Sequence, residues 1–135
     1  MIFSKLLWWS KIKAQNAEPI KWRFALKKSD QNIYKIHLTA FINSPWQMYT
    51  EQLNHPGASL LNIEFESNAY VIVIGKFQEI GTPIEQYDPL LKHDMKLYKV
   101  AVNFVQTVRI MSNKALNLKG TIHYVISDGA SKLET

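Results

Sequence analysis

Four histidines, an acidic group around residue 88 and two serines near the C-terminus are the residues that could do chemistry. His37 and His123 sit in alternating, strand-like stretches, and His55 and His93 sit in connections. No two are spaced as a ligand pair on one strand or helix, so a metal site is not expected. Glu85, Asp88 and Asp94 flank Tyr87 and Pro89. Two carboxylates can carry out glycosidic acid–base work. Here both would come from one connection with no aromatic sugar platform, and Asp88-Pro89 favours a turn in which Asp88 caps its own backbone. Ser127 and Ser131 lie in Ser127-Asp128-Gly129-Ala130-Ser131. A nucleophile elbow needs glycine two places on each side of the serine, which neither has, and Asp128-Gly129 is a turn pair. Cysteine is absent. That excludes a disulfide scaffold, a thiolate zinc site, a cysteine nucleophile and dithiol redox chemistry by this chain alone. No cofactor is expected.

The elements that must position these residues read as strands. Ile20, Trp22, Phe24 and Leu26 alternate with Lys21, Arg23 and Ala25. Successive side chains of a strand point to opposite faces, so this is a half-buried strand. Ser29-Asp30-Gln31-Asn32 is a turn cluster, and Tyr34, Ile36, Leu38, Ala40 and Ile42 resume the alternation, completing an antiparallel hairpin. Further strands are expected over Asn62 to Glu66, Tyr70 to Phe77, Val100 to Ile110 and Leu116 to Ile126. The β-branched run Val71-Ile72-Val73-Ile74 reads as a strand buried on both faces, with Gly75 marking a bulge or a close backbone approach. The best helix signal, Trp46 to Leu53, is confined by Pro45 and Pro56 to about two turns. Trp46 and Tyr49 are expected to plug one end of the fold. About seven strands without helical crossovers predict an all-β antiparallel β-sandwich. Its core should include Trp22, Phe24, Ile36, Leu38, Val73, Phe104 and Tyr124.

The 135 residues suit one domain, assigned to 20–135 after a leader-like or flexible segment at 1–19. In that segment Lys5 precedes Leu6, Leu7, Trp8 and Trp9, but Ser10, Lys11 and Lys13 interrupt the apolar stretch sooner than a secretory leader requires. A short amphipathic anchor fits the same residues. No apolar run is long enough for an integral membrane span. The formal net charge is +5. Its lysines are scattered singly among acids, so no nucleic-acid surface is expected.

Several segments together resemble one family, the N-terminal periplasmic domain of the thiol:disulfide interchange protein DsbD in its Bacteroidetes-type form. They are KWRFALKK from Lys21 to Lys28, SPWQMYTEQL from Ser44 to Leu53, IEQYDPLLKHDMKLYKVAVNFVQTVRIMS from Ile84 to Ser112, and LKGTIHYVIS from Leu118 to Ser127. The resemblance implies an immunoglobulin-like sandwich. In that family a cysteine pair after the last long strand passes electrons to periplasmic thiol proteins. The first cysteine position falls here on Ser127, and the second on Lys132 or Ser131. A shielding cap loop corresponds to Asp88, Pro89, Leu90, Leu91, Lys92, His93, Asp94 and Met95, with Leu90 and Leu91 as covering residues. A hydroxyl cannot form the mixed disulfide that exchange requires. The expectation is therefore a redox-inactive, non-enzymatic relative in the periplasm that binds a protein of the thioredoxin-like class. The alternative is a truncated orphan fragment of a DsbD-type reductase without activity of its own, since family members run into a further strand beyond the point matching Thr135.

Overall fold

The computed structural model describes residues 5–6, 9–10, 19–50, 61–88, 92–112, 117–128 and 132–134. These residues form strands and no helix. In chain order the strands are β1 (Lys5–Leu6), β2 (Trp9–Ser10), β3 (Ile20–Asp30), β4 (Ile33–Ile42), β5 (Gln47–Tyr49), β6 (Leu61–Phe65) and β7 (Val71–Ile80). They continue as β8 (Ile84–Asp88), β9 (His93–Tyr98), β10 (Ala101–Ile110), β11 (Asn117–Leu118), β12 (Gly120–Ser127) and β13 (Lys132–Glu134). The count exceeds the expected seven because several strands of two or three residues fill in beside the long ones.

Two antiparallel sheets build a β-sandwich. The first runs β3-β4-β10-β7. The second has the path β13-β12-β5-β9-β8, with β2 and β6 also paired to β12. Strand β12 is its axis: Ile122 lies between Ser10 and Ile63, and Ile126 lies between Met48 and Leu133. Within the expected 1–19 segment, β1 pairs in parallel with β11 and β2 in parallel with β12.

The period-two residues of β3 and β4 do what their spacing dictates. Ile36, Leu38 and Ala40 are fully buried, and Trp22, Phe24 and Leu26 pack beside them. Cross-strand partners share a face, so Phe24, Leu38 and Phe104 form one inward row across three strands. Trp22 joins the two sheets, its ring centroid 5.6 Å from Tyr124 of β12 and 6.2 Å from Phe104 of β10. Its buried Nε1 has no hydrogen-bond partner among the described residues, so packing holds this ring. The β3–β4 turn places Asn32 at φ 61, a left-handed conformation that asparagine tolerates. Gln31 N donates to Asp30 Oδ1 in the same turn.

Two expectations fail here. The first is β7, which is not buried on both faces. Among the described residues it is the edge of its sheet, with β10 as its only neighbour in the sheet order, and Ile72, Val73 and Ile74 are 55%, 42% and 37% exposed. Val73 is therefore not a core residue. A β-branched apolar run reports strand propensity, which an edge strand shares with a central one. Gly75 does mark a bulge. Its φ is +67, and residues 75–77 stand opposite Gln106 alone. The buried Gln106 Nε2 donates to the carbonyls of Ile74 and Gly75 at 3.0 and 3.2 Å. Open space surrounds the Cβ direction of Gly75, so it serves backbone conformation and not close approach. The second failure is the helix. Gln47–Tyr49 is a strand, because Met48 and Tyr49 alternate between the two faces of the second sheet; residues 51–53 lie outside the described residues.

Candidate functional site

Strand alternation sends every second residue of the second sheet away from the core. On β12, Ile122, Tyr124 and Ile126 point inward, so Val125 and Ser127 belong to the outer face. On β5, Met48 is inward and Gln47 and Tyr49 are outward; on β9, Tyr98 is inward and Met95 and Leu97 are outward. This outer face is not a solvated one. Tyr49, Met95, Leu97 and Val125 form a second buried apolar cluster with exposures from 1% to 9%. A sheet face that reads apolar on both sides must be covered on both sides, as in buried sheets generally.

Ser127 is the last residue of β12 and is 5% exposed. It pairs with Gln47 of β5 on one side and Lys132 of β13 on the other. Residues 128–131 connect β12 to β13. Ser131 and Gly129 of that connection lie outside the described residues.

Asp88 is the last residue of β8 and pairs with His93, the first of β9. The expected cap loop over Asp88 to Met95 is thus the closing end of a β-hairpin and not a loop throughout. Asp88 closes one strand, and His93, Asp94 and Met95 open the other, with Lys92 at φ 54 in the turn. Pro89, Leu90 and Leu91, which include the two expected covering residues, lie outside the described residues. The signal that could have found this hairpin is the pairing of Ile84 with Leu97 and of Gln86 with Met95, an alternation on both sides of a Pro-containing turn.

The acidic group does not act as one. Asp88 is 8% exposed and accepts a hydrogen bond from the buried Tyr49 Oη. Glu85 and Asp94 are exposed, and by alternation Glu85 falls on the opposite side of β8 from Asp88. Asp88 and Ser127 close different strands of this sheet, and in the order β12-β5-β9-β8 the strands β5 and β9 lie between them. The arrangement offers no exposed hydroxyl at Ser127. What it offers is a buried hydroxyl at the end of a hairpin, on the same sheet face as the β8–β9 hairpin end.

The histidines take separate places. His37 lies on β4, where Asn103 Nδ2 donates to its Nδ1 at 3.1 Å and Thr39 Oγ1 donates to Asn103 Oδ1 at 3.2 Å. Burial first, then the Lys27 and Lys35 charges, lower its pKa from the ordinary 6.5. His123 Nε2 lies 3.8 Å from Glu64 Oε2 across the β12–β6 pair. His55 falls outside the described residues. Among the described residues no cluster of three or more acids and histidines is placed to hold a metal, and no helix is long and apolar enough to cross a membrane. Tyr49 is buried in the outer-face cluster, while Trp46 packs against the main core.

No protein-family model, curated protein or solved structure matches this chain.

Proposed function

We propose that this chain is a redox-inactive relative of the DsbD N-terminal domain, with an immunoglobulin-like arrangement of its sandwich, acting as a periplasmic module that binds a thioredoxin-like protein. The observation that supports this reading is the register of β12 and β13. The two positions that the family resemblance assigns to the cysteine pair, Ser127 and Lys132, are direct cross-strand partners. Directly opposed residues in antiparallel strands have Cα atoms about 4.5–5.5 Å apart, inside the usual disulfide range of about 4.4–6.8 Å. The register supports this reading in that two cysteines at these positions would lie within bonding reach. With no cysteine in the chain, the thiolate that exchange requires is missing, and binding is the part of the family's role that remains.

The test restores the sulfur. Ser127→Cys with Lys132→Cys should close under mild oxidation, leaving no titratable thiol in the folded protein, and the reduced form should then exchange with a thioredoxin-like protein. The single variant Ser127→Cys should trap a mixed disulfide with a thioredoxin-like protein whose resolving cysteine has been removed. If the double variant folds but its thiols stay free, and Ser127→Cys with Ser131→Cys also stays open, the alignment at this hairpin is wrong. If the pair closes but the trap gives no more adduct than an unrelated thiol protein, the module does not bind this class of partner.

A further inference from the structure

The outer face of the four-stranded sheet gathers cations that are dispersed in the sequence. With Trp22, Phe24 and Leu26 turned to the core, Lys21, Arg23 and Lys27 of β3 share the outward face. The register sets Lys35 of β4 directly opposite Lys27, and Arg109 of β10 opposite Ile33 and Ile72. All five cations are exposed. The one acid in register with the face is Asp30, and its carboxylate is turned back onto Gln31 N in the hairpin turn. Among the described residues none of the five is ion-paired with an acid. Five positive charges thus share one sheet face, in a chain whose formal net charge is +5.

The same face carries large apolar side chains. Ile72, Ile74 and Ile80 of β7 pair with Arg109, Thr107 and Asn103 and are 55%, 37% and 53% exposed. Tyr70 borders them at 54% exposure. Cations beside protruding aliphatic residues and a rim tyrosine are what an anionic bilayer surface takes up. Basic residues meet the headgroup charge, and apolar side chains enter the acyl boundary. Nucleic acid would use the cations but gain nothing from the isoleucines. The aromatic ring inside the grid, Phe41, is covered by the Arg23 guanidinium at 5.2 Å, which removes it as a base-stacking platform.

We propose that the outer face of the β3-β4-β10-β7 sheet is a peripheral docking surface for a membrane leaflet bearing anionic lipids. This proposal is independent of the role argued for the β12–β13 hairpin. Each basic residue near such a surface is worth about fivefold in binding.

Co-sedimentation of the full chain with vesicles of phosphatidylcholine containing phosphatidylglycerol, compared with phosphatidylcholine alone, tests it. Binding should require the anionic lipid and fall steeply between 0.05 and about 0.5 M salt as the Debye length shortens. Lys27→Gln with Lys35→Gln should weaken it about 25-fold. Lys92→Gln with Lys99→Gln, which changes net charge equally on residues outside this face, should weaken it less than threefold. Ile72→Ser should weaken it without altering the salt slope. Equal effects of the two double variants would reduce the result to net charge and overturn the proposal. So would binding to phosphatidylcholine alone, or preference for a short DNA or RNA duplex over the vesicles. Circular dichroism and a melting curve establish that each variant is folded; if a double variant is not, the salt and lipid dependence of the unaltered chain decides.

Discussion

The two outer faces of this sandwich are built to opposite specifications. On the four-stranded sheet the outward residues of β3 and β4 include Lys21, Arg23, Lys27, Lys35, His37 and Thr39, charged or polar and in contact with solvent, with Ala25, Ile33 and Phe41 between them. On the second sheet the outward residues of β5, β9 and β12 include Tyr49, Met95, Leu97 and Val125, all buried. A strand with one wet face must alternate in polarity; a strand with two dry faces need not. The comparison explains which parts of the fold declare themselves in the sequence. It also predicts where the molecule is fragile.

The largest expected difference is in packing. Leu97→Ala should cost about 2–5 kcal/mol, because it removes transfer energy and leaves a cavity in the outer cluster. Lys35→Ala, at an exposed position of the other outer face, should change stability by no more than about 0.5 kcal/mol. Urea unfolding of both variants checks this. A Leu97→Ala loss below about 1 kcal/mol would mean that the outer cluster is not a packed core.

A smaller difference concerns polar groups. Tyr49 Oη donates to the Asp88 carboxylate where both residues are buried. Tyr49→Phe keeps the ring and withdraws a donor from a buried carboxyl group, a loss of about 1–3 kcal/mol. On the solvated face, Thr39→Val removes the bond to Asn103 Oδ1 where water can replace it, and should cost less than about 1 kcal/mol. Equal losses would show that burial does not distinguish the two faces. A loss for Tyr49→Phe that vanishes in the Asp88→Asn background would assign it to this pair.

The solvated sheet was the legible one. The alternation in Ile20 to Leu26 and Tyr34 to Ile42 predicted the β3–β4 hairpin and its inward row, because one face meets water and the other meets the core. The same alternation hid the basic face. Lys21, Arg23, Lys27 and Lys35 look scattered when read along the chain, and only the register places Lys27 against Lys35 and brings Arg109 from β10 to the same side. The buried face of the second sheet was less legible. Met48 and Tyr49 are both buried on opposite faces, so SPWQMY shows no period of two, and the segment gave instead a weak helix signal that the bracketing prolines confined to about two turns. Val73 failed for a related reason, since propensity does not say which strand ends a sheet. Of the candidate site, the end of a strand at Ser127 could be read from Asp128-Gly129, and the turn expected there falls on residues 129–131, outside the described residues. The partner position Gln47 could not, because pairing between strands distant in sequence is set by the assembled sheet, and Lys132 was named only through the family resemblance.

The finest difference is the proton balance of His37, which sits among the cations of the solvated face. Its burial, followed by Lys27 and Lys35, lowers its pKa below 6.5, and Asn103 Nδ2 donates to its Nδ1, a bond that only the neutral ring accepts. The folded chain therefore holds fewer protons at this position than the unfolded chain does just below pH 6.5, so stability rises with pH there. The contribution is fully present above the unfolded value of about 6.5 and is lost as pH falls through the lower folded value. His37→Gln, whose amide oxygen can accept from Asn103 and never titrates, should flatten this part of the profile. Urea midpoints at pH 8 and pH 5.5 for the two proteins check it. The unaltered chain should lose more stability than His37→Gln between those values, and the carboxylates common to both cancel in the comparison. Equal losses would mean that neither burial nor the neighbouring lysines change the proton affinity of His37. A smaller loss for the unaltered chain would mean that its pKa is raised on folding, and that the charge on this face is not what the register implies.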